Sequence, residues 1–177
     1  TNGVTVSNCI VRANRASYVG DENGPWGRGG GINGAALITG CVIKENVAGY
    51  GAAIFEAGLV TNCVVTNNSA YHSGGILNAS IVSGCAIKNN SSSSDGSAVQ
   101  NVDDVQDCLI QNNFTGKYYG GAGCRNVGNV IGCTFIDNYA FEYGGAIENA
   151  NTVSNCVFIG NQTNERGGAI FDTDGAT

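Results

Sequence analysis

The chain has 177 residues, a formal net charge of −6, 12% charged residues, 28 glycines, one proline and no methionine. This composition fits one domain with a buried core but few helix formers, so long helices are excluded. Eight Lys and Arg, none clustered, are too few to grip nucleic acid through counterion release, and no apolar run nears the roughly 20 residues that span a bilayer.

In chain order, cysteines recur at Cys9, Cys41, Cys63, Cys85, Cys108, Cys133 and Cys156, with steps of 32, 22, 22, 23, 25 and 23 residues. A period in that range predicts a solenoid. Directly before each cysteine stands Asn8, Gly40, Asn62, Gly84, Asp107, Gly132 or Asn155, residue types that accept a left-handed backbone and so predict a corner. The alternation after the cysteine predicts a short strand: Val11, Ile43, Val65, Ile87, Ile110, Phe135 and Phe158 face in, and mostly polar residues follow them.

Five residues after every cysteine comes an asparagine: Asn14, Asn46, Asn68, Asn90, Asn113, Asn138 and Asn161. Stacked coils would superimpose these amides into a structural ladder. A variable loop then leads to a small-residue phrase such as "GGAI", where glycine and alanine admit the backbone of the next coil. Each repeat thus supplies three short strands and three bends, and the whole predicts an all-β, right-handed parallel β-helix of about seven coils of 22–25 residues with three sheets. Residues 1–177 form one β-helix domain, interrupted by an inserted loop at 15–28, and the ends are expected either to continue a longer solenoid or to stack on other copies.

The pairing of "GGAI" at 144 and 167 with "FIDN" at 135 and "FIGN" at 158 resembles the repeat of the chlamydial polymorphic outer membrane proteins. Earlier coils keep the Asn but replace Phe with Val or Ile. The resemblance implies an autotransporter-adhesin-like passenger with a non-catalytic structural role, an adhesin stalk or filament-forming subunit. It implies an extracellular or cell-surface, outer-membrane-associated location, with the membrane reached only through an anchor outside this segment.

The seven ladder cysteines face inward on parallel rungs, an arrangement that predicts free buried thiols rather than disulfides, with Cys124 also in the core. One histidine and no Cys-x-x-Cys pair argue against zinc, and no cofactor is expected. Asp95, Asp103, Asp104 and Asp107 are the only carboxylate cluster that a polysaccharide lyase or hydrolase on this fold could use. The simpler reading makes Asp107 a corner residue and Asp103 and Asp104 solvated, and "DTDG" at 172–175 a turn. His72 reads as an exposed loop residue.

Loops at equivalent positions land on one flank, so Tyr50, Tyr71, Tyr118, Tyr119 and Tyr143, with Trp26 in the insert, are candidates for binding a glycan or a surface receptor. The residue after each cysteine faces out, and Ile10, Val42, Val64, Leu109 and Val157 predict an aliphatic stripe for lateral self-association, with head-to-tail stacking of the ends as the alternative contact.

Overall fold

The computed structural model describes residues 3–16, 27–96, 98–117 and 120–172. Over these residues the chain is all-β, a right-handed-type parallel β-helix of about six turns. The seven predicted cysteine corners bound those six complete turns. Every coil contributes to three parallel sheets of eight, seven and seven strands. The first sheet holds the long strands, from Ile32–Thr39 and Ile54–Thr61 through Ile147–Ser154. The second holds three-residue strands such as Val64–Thr66, and the third strands of two to four residues such as Ser69–His72.

Register is unbroken from rung to rung. Ile54 pairs with Ile76, Ile76 with Val99, Val99 with Cys124, Cys124 with Ile147 and Ile147 with Ile170. The inward members of this column from Ile54 to Ile147 have no exposed surface, and neither do Val60, Val82, Val105 and Val130 at the other end of the long strands. Each such side chain contributes about 1.5–3 kcal/mol by leaving water. Phe135 and Phe158 continue the second sheet's inward column as stacked rings 5.1 Å apart.

All seven residues before the ladder cysteines are left-handed, from Asn8 at φ 51° to Gly132 at φ 66°. A second left-handed residue precedes each ladder asparagine, for example Ala13 at φ 55° and Asn89 at φ 54°, and a third opens the small-residue phrase, as at Gly144 with φ 54°. The structure adds a fourth bend to the three predicted. The third residue of the long strand, Glu56, Asn78, Asn101, Asn126 or Asn149, also has positive φ. The chain bends there so that residues on both sides of the bend, Ile76 and Ala79 in one coil, reach the same core.

The buried asparagines carry a continuous hydrogen-bond column. Asn68 donates both its backbone N–H and its Nδ2 to Oδ1 of Asn90, at 3.1 and 2.9 Å, and Asn90 repeats this toward Asn113 at 3.0 and 3.1 Å. The cysteines do more than fill space. Cys41, Cys63, Cys85 and Cys108 each donate a backbone N–H to the next coil's Sγ at 3.4–3.5 Å, and each thiol reaches the carbonyl two residues before it. They sit at the corner ahead of the short strand rather than within a strand. All eight cysteines are free, but the terminal ladder members depart from full burial: Cys9 is exposed and Cys156 only half-buried.

Candidate functional site

The end of the third sheet and the start of the first meet at the small-residue bend, and two columns of side chains face one another there. On the third-sheet side, Arg28 pairs with Tyr50 and Tyr50 with His72, and the Ser73 backbone bonded to Asp95 carries the column on. Facing them, the second residues of the long strands run Phe55, Leu77, Gln100, Arg125, Glu148 and Phe171. A side chain of the first column packs on the partner column one coil further along. Arg28 lies 5.1 Å over the Phe55 ring, Asp95 Oδ2 is 3.2 Å from an Arg125 nitrogen, and Tyr143 stacks on Phe171 at 4.6 Å.

The polar centre of this flank is a chain of four ionisable groups. His72 Nδ1 lies 2.9 Å from Asp95 Oδ2, Arg125 joins Asp95 to Glu148, and Arg125 Nε donates to Glu148 Oε2 at 2.9 Å. Glu148 is 2% exposed and also accepts the Gly120 N–H at 3.0 Å. Burial alone would raise the Asp95 carboxyl, but hydrogen bonds from His72 and Ser94 and the charges of His72 and Arg125 outweigh it and hold the group below its ordinary value. Tyr50 stacks on the His72 ring at 4.6 Å, and Tyr71, 40% exposed, meets it edge-on.

His72 is therefore not the exposed loop residue expected: it lies on the strand Ser69–His72 with its side chain 20% exposed. The four aspartates do not converge either. Asp95 joins the flank, Asp104 accepts the Asn129 amide at 2.7 Å, Asp107 occupies its left-handed corner at φ 51°, and Asp103 lies on the outer face of the first sheet. Of the aromatic candidates, Tyr50 and Tyr143 lie in the flank column and Tyr71 beside it. Trp26, Tyr118 and Tyr119 lie outside the described residues, as do 17–26 of the inserted loop and 173–175 of the "DTDG" phrase.

Sequence reasoning missed Arg125, Glu148 and Gln100. Their only signal is a shared place, second in the long strand, where other coils carry Phe55 and Leu77.

On the second sheet Ile10, Val42, Val64, Ala86, Leu109, Thr134 and Val157 stand side by side in register. Ile10, Val64 and Val157 are exposed, at 71%, 40% and 49%, while Val42 and Leu109 are half-buried. Ile159, 53% exposed, extends the apolar surface beside Val157.

Residues 155–173 match the Chlamydia polymorphic membrane protein repeat. The matched span runs from the left-handed corner at Asn155 through the ladder residues Cys156 and Asn161 to the "GGAI" phrase, so it covers one coil. No curated protein and no solved structure matches the chain.

Proposed function

We propose that this chain is a non-catalytic rod displayed at the bacterial cell surface, a stalk of the polymorphic-membrane-protein kind that carries its loops away from the outer membrane. The observation behind this reading is the uninterrupted register of thiol, amide and aliphatic columns, which makes a stiff scaffold whose coil-to-coil contacts are alike along its length. The matched membrane-protein repeat supports the location. The engagement of Asp95 by His72, Ser94 and Arg125, and of Asp104 by Asn129, supports a structural use of these carboxylates.

The exposed aliphatic row adds a partner of the same kind: a second copy, packed laterally through Ile10, Val64 and Val157. Sedimentation of wild type against Val64→Lys tests this, with association lost in the variant. For the rod itself, surface labelling of intact cells of the organism that makes the chain is expected to modify it without lysis. Polysaccharides incubated with it in the presence of calcium are expected to give no unsaturated product. Turnover that disappears in the Asp103→Ala, Asp104→Ala double variant would replace this reading with a carbohydrate-active enzyme.

A further inference from the structure

The outer face of the first sheet carries two open hollows of about 720 and 570 Å³ that meet at Asn101. One extends from there toward Gly3, the other toward Asp172, so together they follow the rod axis across the described coils. Small residues keep the floor low, Ala36, Gly58, Ser80 and Gly128 among them. A Cβ at Gly58 would come within 2.5 Å of the Ala36 carbonyl oxygen, so the close approach of the coils fixes glycine there.

Along this groove stands a second amide column, distinct from the buried one. Asn101 Nδ2 donates to Asn78 Oδ1 at 3.2 Å, and Asn149 Nδ2 donates to Asn126 Oδ1 at 3.2 Å. The four asparagines Asn78, Asn101, Asn126 and Asn149 stand on successive rungs, roughly every 4.8 Å, with Glu56 in their place on the rung before.

A third hollow, about 510 Å³, opens from the groove at Glu56, Asn78 and Asn101 and reaches the flank. Its walls are ring and aliphatic faces, Tyr50, Phe55 and Leu77, and its polar groups are the amides of Asn78, Gln100 and Asn101 with Glu56 and Asp95 set against Arg28 and His72, so that the charges of the two signs offset one another. Gln100 lines it, 7% exposed, with Oε1 buried and lacking a hydrogen-bond partner among the described residues. A buried amide oxygen without a partner costs stability, and because Gln100 borders a hollow, a turn of its side chain lets a ligand hydroxyl supply the missing donor.

From this geometry we infer that the groove binds an extended, uncharged polysaccharide, with one sugar unit seated against Gln100, Asn78 and Asn101 in the side hollow. Pyranose rings present hydroxyls to amides and carboxylates and C–H faces to aromatic walls, and a linear glycan repeats on the scale of one rung, so successive units meet successive amides. A polyanionic chain is disfavoured because the groove is lined by Asp103 and Asp172 and by no basic side chain among the described residues, while in the side hollow Asp95 is already engaged by His72 and Arg125. The inference adds a ligand to the rod and is measured on the isolated chain in solution, so its failure leaves surface display untouched.

Calorimetric titration of the 177-residue chain with short and long oligomers of β-1,4-linked glucose, β-1,4-linked N-acetylglucosamine and galacturonate tests it. Long neutral oligomers bind more tightly than short ones, and oligogalacturonate does not bind. Because Asn78 and Asn101 have φ of 60° and 52°, they are replaced by glycine, which keeps the bend while removing the amide. Asn78→Gly with Asn101→Gly weakens binding roughly tenfold. Gln100→Met weakens it too while leaving the melting temperature equal or higher, an outcome that a purely structural glutamine would not give. Lys88→Ala, on the second sheet, changes nothing. Absence of saturable binding to both neutral series, or affinity indifferent to all three groove substitutions, overturns the proposal.

Discussion

Oδ1 of Asn90 accepts two hydrogen bonds from a single residue of the preceding coil, the backbone N–H and the Nδ2 of Asn68. Asn90 in turn donates Nδ2 to the Val65 carbonyl at 3.0 Å, so one side chain bonds backbone groups on both flanks of the preceding coil's corner at Asn67. Replacing Asn90 by alanine strands the Asn68 N–H and removes one donor from the Val65 carbonyl, in a site that is 1% exposed. At about 1–3 kcal/mol for a buried group left unsatisfied and about 1 kcal/mol for a lost hydrogen bond, Asn90→Ala costs about 2–4 kcal/mol in urea unfolding. Asn14→Ala, at the exposed end of the same column, costs less than about 1 kcal/mol, because water reaches what it leaves. Equal losses at both positions would remove the ladder from the account of stability.

Acid sensitivity follows from Asp95. Its carboxyl is held below the ordinary value, so the folded state binds that proton less readily than the unfolded chain does. The resulting stabilisation is full above the unfolded pKa of about 3.9 and is lost as pH falls through the lower folded value. Asp95→Asn is expected to flatten this acid limb of the stability profile, read from denaturant midpoints between neutral pH and pH of about 2. Arg125→Met is the harsher change. It leaves Glu148, 2% exposed, without the guanidinium beside it and costs about 3–5 kcal/mol near neutral pH.

The difference between the buried amide ladder and the ionisable flank marks what the sequence makes visible. The buried amide column could be read directly because each coil repeats its asparagine at one distance from its cysteine, and the corners could be read because Asn, Gly and Asp announce a left-handed residue. The flank could not. His72 meets Asp95 across 23 positions, and Arg125 meets Glu148 across 23, each residue being the only one of its kind in its column. A contact between the variable positions of neighbouring coils has no local motif, and only the register brings it together. The fourth bend escaped for another reason: Asn78 and Asn101, flanked by alternating residues, look like the outward members of a strand.

Thiol accessibility separates the interior of the column from its end. Cys9 is exposed, while Cys41, Cys63, Cys85, Cys108, Cys124 and Cys133 are buried. Burial pushes the Cys124 thiol well above its ordinary value, and burial likewise raises Cys156, so the reactive thiolate is scarce at both. In native protein, an aromatic disulfide reagent is expected to label Cys9 quickly and Cys156 slowly. The remaining thiols react only after unfolding, and Cys9→Ser abolishes the fast phase. A fast phase that survives in Cys9→Ser would show that the column opens in the native state.

Ala13 offers the converse of a stability loss. It is exposed, has φ of 55°, and occupies the corner that other coils give to Asn67, Asn89 and Asn112. A left-handed conformation costs an ordinary L-residue about 1–2 kcal/mol, and asparagine tolerates it better through local hydrogen bonding. The Ala13 N–H bonds to the Lys44 carbonyl at 3.1 Å, a contact that does not depend on the side chain. Ala13→Asn is therefore expected to raise stability by about 0.5–1 kcal/mol. Ala13→Gly gains less, since glycine loses about 0.5–1 kcal/mol more chain entropy on folding. Asn67→Ala, the reverse exchange at the equivalent corner two coils on, is expected to lose what Ala13→Asn gains. If both exchanges shift the denaturation midpoint in the same direction, backbone strain at this corner is not what selects its residue.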